Sequence, residues 1–293
     1  MALNGVIVVD KPQGWTSHDV VARCRRLLGE RSIGHLGTLD PMATGVLPLV
    51  IGKMTRLSQF YSGSQKRYVG TIRLGFATDT YDADGDRVGA EREVQVTLEE
   101  LQAAVREFVG PLQQAPPPFS AKKIQGVPAY KLARRNQPVE LKAVAVEVFE
   151  FEVRERRGAE VDFSCRVSSG TYVRSLAHEL GQTLGCGAHL ASLRRTSTAE
   201  FDIAQAHTLE QIGQFIKDGR LDELLVHPRT VLPEIPSVTA DQETIGRIRT
   251  GRSVNLPEMS RSKWVKVFAD QTDLICLASR VAGTLFHPKV VLM

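Results

Sequence analysis

The sequence predicts an α+β fold with a mixed, mainly antiparallel sheet flanked by helices. Runs of β-forming residues alternate with helical patterns, but they lack the regular strand–helix–strand rhythm of a doubly wound fold. Between Tyr68 and Leu74, large apolar residues and Gly70 recur at every second position, as expected for a strand with one covered face. The length of 293 residues leaves room for one large unit and a smaller module.

The strands and helices of the larger unit can be placed from their residue patterns. Predicted strands cover 5–9, 67–74, 144–153 and 161–167. A predicted helix runs from Thr97 to Val109, because Thr97 and Glu100 form a capping box and Gly110-Pro111 ends the pattern. A second predicted helix covers 172–184, with apolar residues on one face and a glycine after its end.

The C-terminal part has the pattern of a separate, small β-rich module. Residues 227–236 contain three prolines and little periodicity, which predicts a linker. A helical stretch and short predicted strands around 265–268, 274–277 and 281–285 follow it. We therefore expect a first domain over 1–235 and a second over 236–293.

Composition favours a reduced, cytoplasmic protein. Lys and Arg (37) outnumber Asp and Glu (33), a balance that is compatible with a polyanionic partner but does not diagnose one. The four cysteines are far apart and form no CxxC pair, so neither a zinc cage nor a disulfide framework is predicted. No apolar stretch approaches the ~20 residues of a membrane span, and we expect no membrane association.

Several motifs of cofactor chemistry are incomplete. Gly45 to Lys53 resembles a phosphate loop, but its glycines are spaced too widely and Met54 replaces the Ser or Thr that binds magnesium. His178-Glu179 begins like a zinc-binding HExxH helix, yet Gln182 occupies the position of the second histidine. Neither ATP use nor metal hydrolysis is expected.

Two further metal patterns have simpler explanations. The acidic loop Asp79 to Asp86 matches a calcium loop in part when it is counted from Thr80, but the first position lacks a carboxylate, so a solvated turn is favoured. Cys186 and His189 form a C-x-x-H pair without a second pair, which ordinary packing explains.

The segment from Arg31 to Gly45, RSIGHLGTLDPMATG, concentrates unusual residues. Asp40 precedes Pro41, the arrangement of a helix N-cap followed by proline at the first helical position. A catalytic carboxylate is the alternative for Asp40, and His35 is equally compatible with an ordinary loop position. Spacing alone leaves both interpretations open.

This segment resembles the GHxGTLDPxATG signature of bacterial tRNA pseudouridine-55 synthases, the TruB family. The resemblance continues in the family's order over roughly residues 5–210. Its other blocks are Asp10 to Ser17, Lys66 to Tyr68 with Leu74-Gly75, Thr78 to Thr80 with Asp82 and Gly85, Pro117 to Lys123 with Tyr130, Gly170 to Leu176, and Gly185 to Leu190 with Leu193 to Arg195.

The resemblance implies a reaction and a substrate as well as the pseudouridine synthase fold, whose active site lies in a cleft across the sheet. Family members break the N1–C1′ bond of the uridine at position 55 in the TΨC arm of tRNA, rotate the uracil and rejoin it through C5. Because nothing is added or lost, no metal, nucleotide or redox cofactor is expected.

The resemblance also assigns roles to individual residues. Asp40 aligns with the catalytic aspartate, which attacks the sugar, attacks the base or abstracts a sugar proton. Tyr68 aligns with a tyrosine that stacks on the target base, Arg174 with the partner of the aspartate, Leu193 with a pocket-lining residue, and His35 with a contact to the flipped-out loop. Packing or solvation is the ordinary alternative for each. The complete predicted substrate-binding set is Lys11, His35, Tyr68, Tyr172, Arg174 and Leu193.

Contacts to the RNA backbone are expected from basic residues in the same blocks. A segment over about 115–137 resembles the family's insertion that closes over the tRNA arm, and the C-terminal module resembles a PUA-type RNA-binding domain. No obligatory protein partner is indicated. The candidate backbone contacts are Lys11, Arg31, Lys66, Lys122, Lys123, Lys131, Arg134, Arg135, Arg194 and Arg195.

Three alternatives remain open. A guide-RNA-dependent rRNA modifier shares the catalytic block, although the style of the insertion and the lack of basic tails count against it. A ribonucleoside hydrolase would use a similar carboxylate and release free uracil. A non-catalytic tRNA-folding chaperone is compatible with every basic residue, and turnover would separate it from an enzyme.

Overall fold

The computed structural model describes residues 3–120, 123–124, 127–128 and 142–293, with side chains in the first and last of these ranges. The helices are α1 (Ser17–Leu28), α2 (Leu98–Glu107), α3 (Val173–Thr183), α4 (Leu209–Lys217) and α5 (Gln242–Arg249). The strands are β1 (Gly5–Lys11), β2 (Ile33–His35), β3 (Thr44–Ile51), β4 (Lys66–Leu74), β5 (Ala77–Thr78), β6 (Arg87–Val88), β7 (Gly110–Gln114), β8 (Lys123–Ile124), β9 (Val127–Pro128), β10 (Val144–Arg157), β11 (Glu160–Val167), β12 (Ala188–Thr198), β13 (Phe201–Asp202), β14 (Ser237–Thr239), β15 (Val254–Asn255), β16 (Trp264–Phe268), β17 (Leu274–Ala282) and β18 (Leu285–Val291).

A nine-stranded sheet forms the frame of the larger unit within the described residues. Its order is β1-β3-β12-β4-β11-β10-β7, with β2 beside β3 and β13 beside β12. Within the described part of this sheet the pairing is antiparallel, except that β12 runs parallel to β3 with Arg194 opposite Thr44. The mixed, mainly antiparallel sheet predicted from the sequence is therefore confirmed.

Helices cover one face of this sheet. The predicted helix after Thr97 is confirmed, because the Thr97 side chain accepts from the Glu100 amide and the Glu100 carboxylate accepts from the Thr97 amide. Helix α3 confirms the second prediction, with Leu176, Ala177 and Leu180 fully buried. Helix α1 was not predicted, although Thr16 and Asp19 form a capping box and Gly29 ends it in the left-handed conformation.

The smaller C-terminal unit is a five-stranded sheet in the order β14-β16-β17-β18-β15, packed with α5. The strands predicted at 265–268 and 274–277 are confirmed within β16 and β17. The strand predicted over 281–285 is wrong, because a turn at Gly283 (φ 47°) separates β17 from β18. Apolar residues occur on both sides of this turn, so the sequence pattern suggested one continuous strand where the chain reverses direction.

The two sheets share a hydrophobic core. Val6, Val8 and Val46 on the second face of the large sheet form one buried cluster with Leu277 and Val290 of the small sheet. Residues 227–236 contain no helix or strand, as predicted for a linker, yet Val231, Leu232 and Ile235 are buried in the same cluster. This connection is consequently packed against both sheets.

All four cysteines are free and buried. Among the residues described, no helix is both long and apolar enough to cross a bilayer.

Candidate active site

Asp40 lies in the connection between β2 and β3, where its carboxylate contacts Arg174 of α3. Pro41 and Met42 form a turn that leads directly into β3, so Asp40 caps no helix and that interpretation is wrong. Its side chain is 35% exposed, enough for one edge of the carboxylate to reach a ligand.

The guanidinium of Arg174 is the centre of the polar contacts around Asp40. Its Nε lies 2.9 Å from Oδ2 of Asp40, and its Nη1 lies 3.4 Å from Oδ2 of Asp82. Nη1 also donates to the Thr80 carbonyl at 3.1 Å, and Nη2 donates to the Phe119 carbonyl at 3.0 Å. With only 5% of its side chain exposed, Arg174 is held from four directions.

Asp82 is the residue of this site that sequence reasoning missed. Its Oδ1 accepts from the Thr80 hydroxyl at 2.6 Å and from the Asp84 amide at 3.1 Å, while Oδ2 faces Arg174. The calcium-like spacing of the acidic loop was the available signal, since it indicates carboxylates that turn inward. The described residues contain no cluster of three or more side chains that could hold a metal ion.

A stacked pair holds the acidic loop against α3. The rings of Tyr81 and His178 lie 3.7 Å apart and within 13° of parallel. Tyr81 has a φ of 66°, a conformation that costs energy for a bulky residue and persists only where the surroundings stabilise it. His178 follows Arg174 by one helical turn, and burial lowers the pKa of its imidazole. The neutral ring therefore secures the residue that precedes Asp82.

Tyr68 and Leu193 lie on adjacent strands of the large sheet, β4 and β12. Both are 7% exposed and belong to one hydrophobic cluster. Leu193 pairs with Gly70 and Arg195 with Tyr68 across β12 and β4. Burial raises the pKa of Tyr68, and the nearby Arg195 opposes this effect. The phenol stays neutral and offers an uncharged face.

His35 and Tyr172 are two further residues of the predicted substrate-binding set, and both have perturbed pKa values. Burial, aided by the charge of Arg195, lowers the pKa of His35, so its ring is neutral. Tyr172 precedes α3, and its backbone is fixed to Gln114 by two hydrogen bonds of 2.7 and 3.1 Å. Burial raises the pKa of Tyr172, and the charge of Asp40 adds to this effect.

Lys11 does not fit the predicted contact with RNA, because its side chain is fully buried. Its ammonium donates to the carbonyls of Pro12, Trp15 and Pro41 at 2.9, 2.5 and 3.2 Å. Desolvation of this charge by burial lowers the pKa of Lys11 to about 8. The lysine instead ties the loop after β1 to the residue that follows Asp40.

The other predicted contacts to the RNA backbone differ in how accessible their side chains are. Arg195 is fully buried and donates to the carbonyls of Gly37 and Val46, so it too is unavailable to a phosphate. Arg194 pairs with both carboxylate oxygens of Asp10 at 3.0 and 2.7 Å, whereas Arg31 is exposed. Lys66 is partly exposed. The side chains of Lys122, Lys123, Lys131, Arg134 and Arg135, and most of the predicted insertion, lie outside the described residues.

Comparison with known proteins gives the family. Residues 25–173 match the family described as TruB family pseudouridylate synthase (N terminal domain), and residues 174–233 match the tRNA pseudouridylate synthase B C-terminal domain. The chain is 47% identical over 293 residues to the tRNA pseudouridine synthase B of Solibacter usitatus, covering 99% of this chain and 100% of that protein. With the protein of the same name from Aquifex aeolicus it shares 39% identity at the same two coverages.

Solved structures with the same fold come from ribonucleoprotein complexes. A chain of an H/ACA RNP bound to a substrate RNA containing 2′-deoxyuridine has a TM-score of 0.73 and 25% identity, over 99% of this chain and 85% of that one. A chain of the archaeal box H/ACA sRNP has a TM-score of 0.70 and 26% identity, over 99% and 86%. From the family matches and the full-length relatives, this chain belongs to the TruB family of pseudouridylate synthases.

Proposed function

We propose that this protein isomerises uridine to pseudouridine at position 55 in the TΨC loop of tRNA, with Asp40 acting directly on the target nucleotide. The observation that carries this proposal is the partly exposed Asp40 carboxylate, held at 2.9 Å by a buried arginine. The glycosidic N1–C1′ bond breaks and a C5–C1′ bond forms, while the C5 proton leaves and N1 gains one, so the reaction is balanced without a cofactor.

The contacts of Arg174 leave part of the Asp40 carboxylate free to reach a nucleotide. Arg174 approaches Asp40 through Nε alone and directs its Nη atoms elsewhere. The other edge of the Asp40 carboxylate is thereby left to the sugar or the base.

Tyr68 and Leu193 suit the binding of a uracil that has been flipped out of the stacked bases of the RNA. Tyr68 presents a neutral ring and Leu193 an apolar side chain on neighbouring strands. Stacking on an aromatic ring contributes ~1–3 kcal/mol per base. That gain offsets much of the few kcal/mol that extrusion of a nucleotide costs.

A tRNA substrate is favoured over a guide-RNA-dependent one. The full-length relatives at 39–47% identity are named tRNA pseudouridine synthase B, whereas the ribonucleoprotein chains share about a quarter of their residues with this chain. We therefore propose that the protein modifies tRNA without an obligatory protein or guide-RNA partner.

The test compares Asp40→Asn with Asp86→Asn, which removes an exposed carboxylate from the acidic loop without touching Arg174. Tritium release from C5-labelled uridine in tRNA should fall to background for Asp40→Asn and remain normal for Asp86→Asn, while both variants bind tRNA. Turnover by the unmodified enzyme should survive EDTA when the tRNA remains folded.

Three results would contradict the proposal. Near-normal tritium release by a homogeneous Asp40→Asn preparation would remove its central residue. Free uracil among the products would identify a hydrolase. Equal release from a tRNA with cytidine at position 55 would mean that the enzyme modifies another uridine.

A further inference from the structure

A cavity of about 730 Å³ lies beside the loop that carries Asp40, and Asp40 itself does not line it. The loop after β1, helix α1 and the start of α4 contribute its walls, including Trp15, Arg23, Arg26 and Leu209. The ammonium of Lys11 bonds both the Trp15 carbonyl and the Pro41 carbonyl, so this wall is tied to the Asp40 loop through one buried side chain.

Trp15 gives the cavity a flat apolar surface. Its side chain is one of the few large hydrophobic ones that are exposed, with 36% of the residue accessible. It forms no ring contact with another aromatic residue among those described. An exposed indole within a concave site is a natural stacking partner for a nucleobase.

Two arginines supply positive charge without a counterion. Arg23 and Arg26 are exposed and stand three positions apart on α1, which places them on one side of the helix. Neither forms an ion pair within the described residues. The cavity is lined by two carboxylates. Asp10 forms an ion pair with Arg194, so Glu210 is the remaining negative charge in the lining beside Arg23 and Arg26.

We propose that this cavity binds a second nucleotide of the substrate tRNA, with its base stacked on Trp15 and its backbone phosphate held by Arg23 and Arg26. A planar surface beside two unpaired guanidinium groups matches the chemistry of a nucleotide. The volume lies within the range of small-ligand sites. This inference rests on the proposed tRNA substrate and adds a contact remote from the reacting uridine.

The experiment uses tryptophan fluorescence in the full-length protein. The chain has two tryptophans, so Trp264→Phe leaves Trp15 as the single indole. Combined with Asp40→Asn to prevent turnover, this variant should show saturable quenching when tRNA is added. Heparin supplies negative charge without bases and should quench much less. The isolated TΨC hairpin then identifies whether the bound nucleotide belongs to that arm.

Affinity and rate measurements complete the test in the enzyme that retains Asp40. Loss of one stacked base corresponds to about 5- to 150-fold weaker binding. Trp15→Ala should therefore raise Kd and KM by at least about fivefold, with kcat at saturating tRNA unchanged, and Trp15→Phe should restore most of the affinity. Arg23→Ala with Arg26→Ala should lower the slope of log affinity against log salt by about one to two. Arg106→Ala, which removes an exposed arginine from α2, is the matched control.

The inference is overturned if saturating tRNA leaves Trp15 fluorescence unchanged, if heparin quenches equally, or if folded Trp15→Ala binds tRNA as tightly as the unmodified protein. These outcomes are distinct from failure of the proposed function. That failure would show as absent tritium release by the unmodified enzyme.

Discussion

Oδ2 of Asp82 lies 3.4 Å from Nη1 of Arg174, and neither side chain is more than 6% exposed. This contact orients the arginine that in turn holds Asp40. Asp82→Asn keeps one oxygen that can accept from both Thr80 and Asp84, but replaces the charged oxygen that faces Arg174 by an NH2 group. We expect kcat to fall roughly 10- to 100-fold, because small displacements of a catalytic group have effects of that size. Single-turnover tritium release measures it, and a rate equal to that of Asp86→Asn would contradict the prediction.

Replacement of Arg174 should damage stability as well as activity. Arg174→Ala strands the buried Asp82 carboxylate, and breaking such a buried pair costs about 3–5 kcal/mol. Asp40→Asn should change the free energy of unfolding much less, since Asp40 is 35% exposed. Urea unfolding of both variants gives the comparison. Arg174→Ala should cost less free energy of unfolding in a protein that already carries Asp82→Asn, because no buried charge is then left unpaired. An equal cost with Asp82 and with Asp82→Asn would contradict this explanation.

Lys11 should make stability depend on pH in the alkaline range. Burial lowers its pKa from 10.5 to about 8, so between these values the unfolded chain binds more protons than the folded chain. The contribution of Lys11 to the free energy of unfolding must therefore rise with pH through that window. From pH 8 to 10, the free energy of unfolding of the unmodified protein should rise relative to that of Lys11→Met. The pKa of Lys66 is lowered similarly, but Lys66 is present in both proteins and cancels. Parallel pH profiles would contradict the assignment.

The shared core changes what a C-terminal truncation can test. Ending the chain near Pro233 removes Leu277 and Val290 from the cluster with Val6 and Val8, and removes the Lys266 ammonium from the Arg229 and Val231 carbonyls. We expect weaker tRNA binding and a raised KM, accompanied by a lower melting temperature because buried apolar surface becomes exposed.

A cleaner test of RNA binding by the C-terminal module leaves the core intact. Arg249→Ala with Arg252→Ala removes two exposed charges from this module. If this double variant loses more tRNA affinity than Arg106→Ala and its melting temperature is unchanged, the result supports an RNA-binding role of the module. Full affinity of this double variant and of a folded truncation at moderate salt would contradict the PUA-type prediction.

Two glycines near the site separate backbone strain from steric overlap. Gly45 (φ 99°) and Gly14 (φ 81°) share the left-handed region, where alanine costs about 1–2 kcal/mol. A Cβ on Gly45 would overlap the carbonyl of Arg195, whereas no heavy atom lies within 4 Å of a Cβ on Gly14. Gly45→Ala should therefore lower the melting temperature far more than Gly14→Ala. Similar melting temperatures would show that β12 can move away from β3.

The parts of the fold that the sequence predicted correctly have local causes. The capping box at Thr97, the apolar face of α3 and the alternation in β4 all depend on neighbouring residues. Strand β12 was not predicted, and its consecutive arginines are typical of a surface segment. Arg195 is nevertheless buried, since its guanidinium donates to the carbonyls of Gly37 and Val46, which lie far away along the chain on either side of Asp40. No local pattern can indicate such distant acceptors.

The same limit explains the errors at the site. Lys11 and Arg195 were interpreted as phosphate contacts, but both donate to backbone carbonyls and have no exposed surface. Arg174 is buried because three other segments supply its partners, which no pattern within its own helix can indicate. Asp40 was recognised through its resemblance to a family signature, because its spacing alone suited a helix cap equally well.

The position of β12 constrains the order in which the protein can be made functional. This strand lies between β3 and β4, although more than a hundred residues separate it from them along the chain. While a ribosome is still synthesising residues before Ala188, β3 and β4 have no partner to join them, and Arg174 and Leu193 have not both emerged. Non-local pairing of this kind slows folding. Nascent chains that stop before β12 should therefore lack the assembled site. Strands β3 and β4 can be joined in the sheet only after β12 has been synthesised.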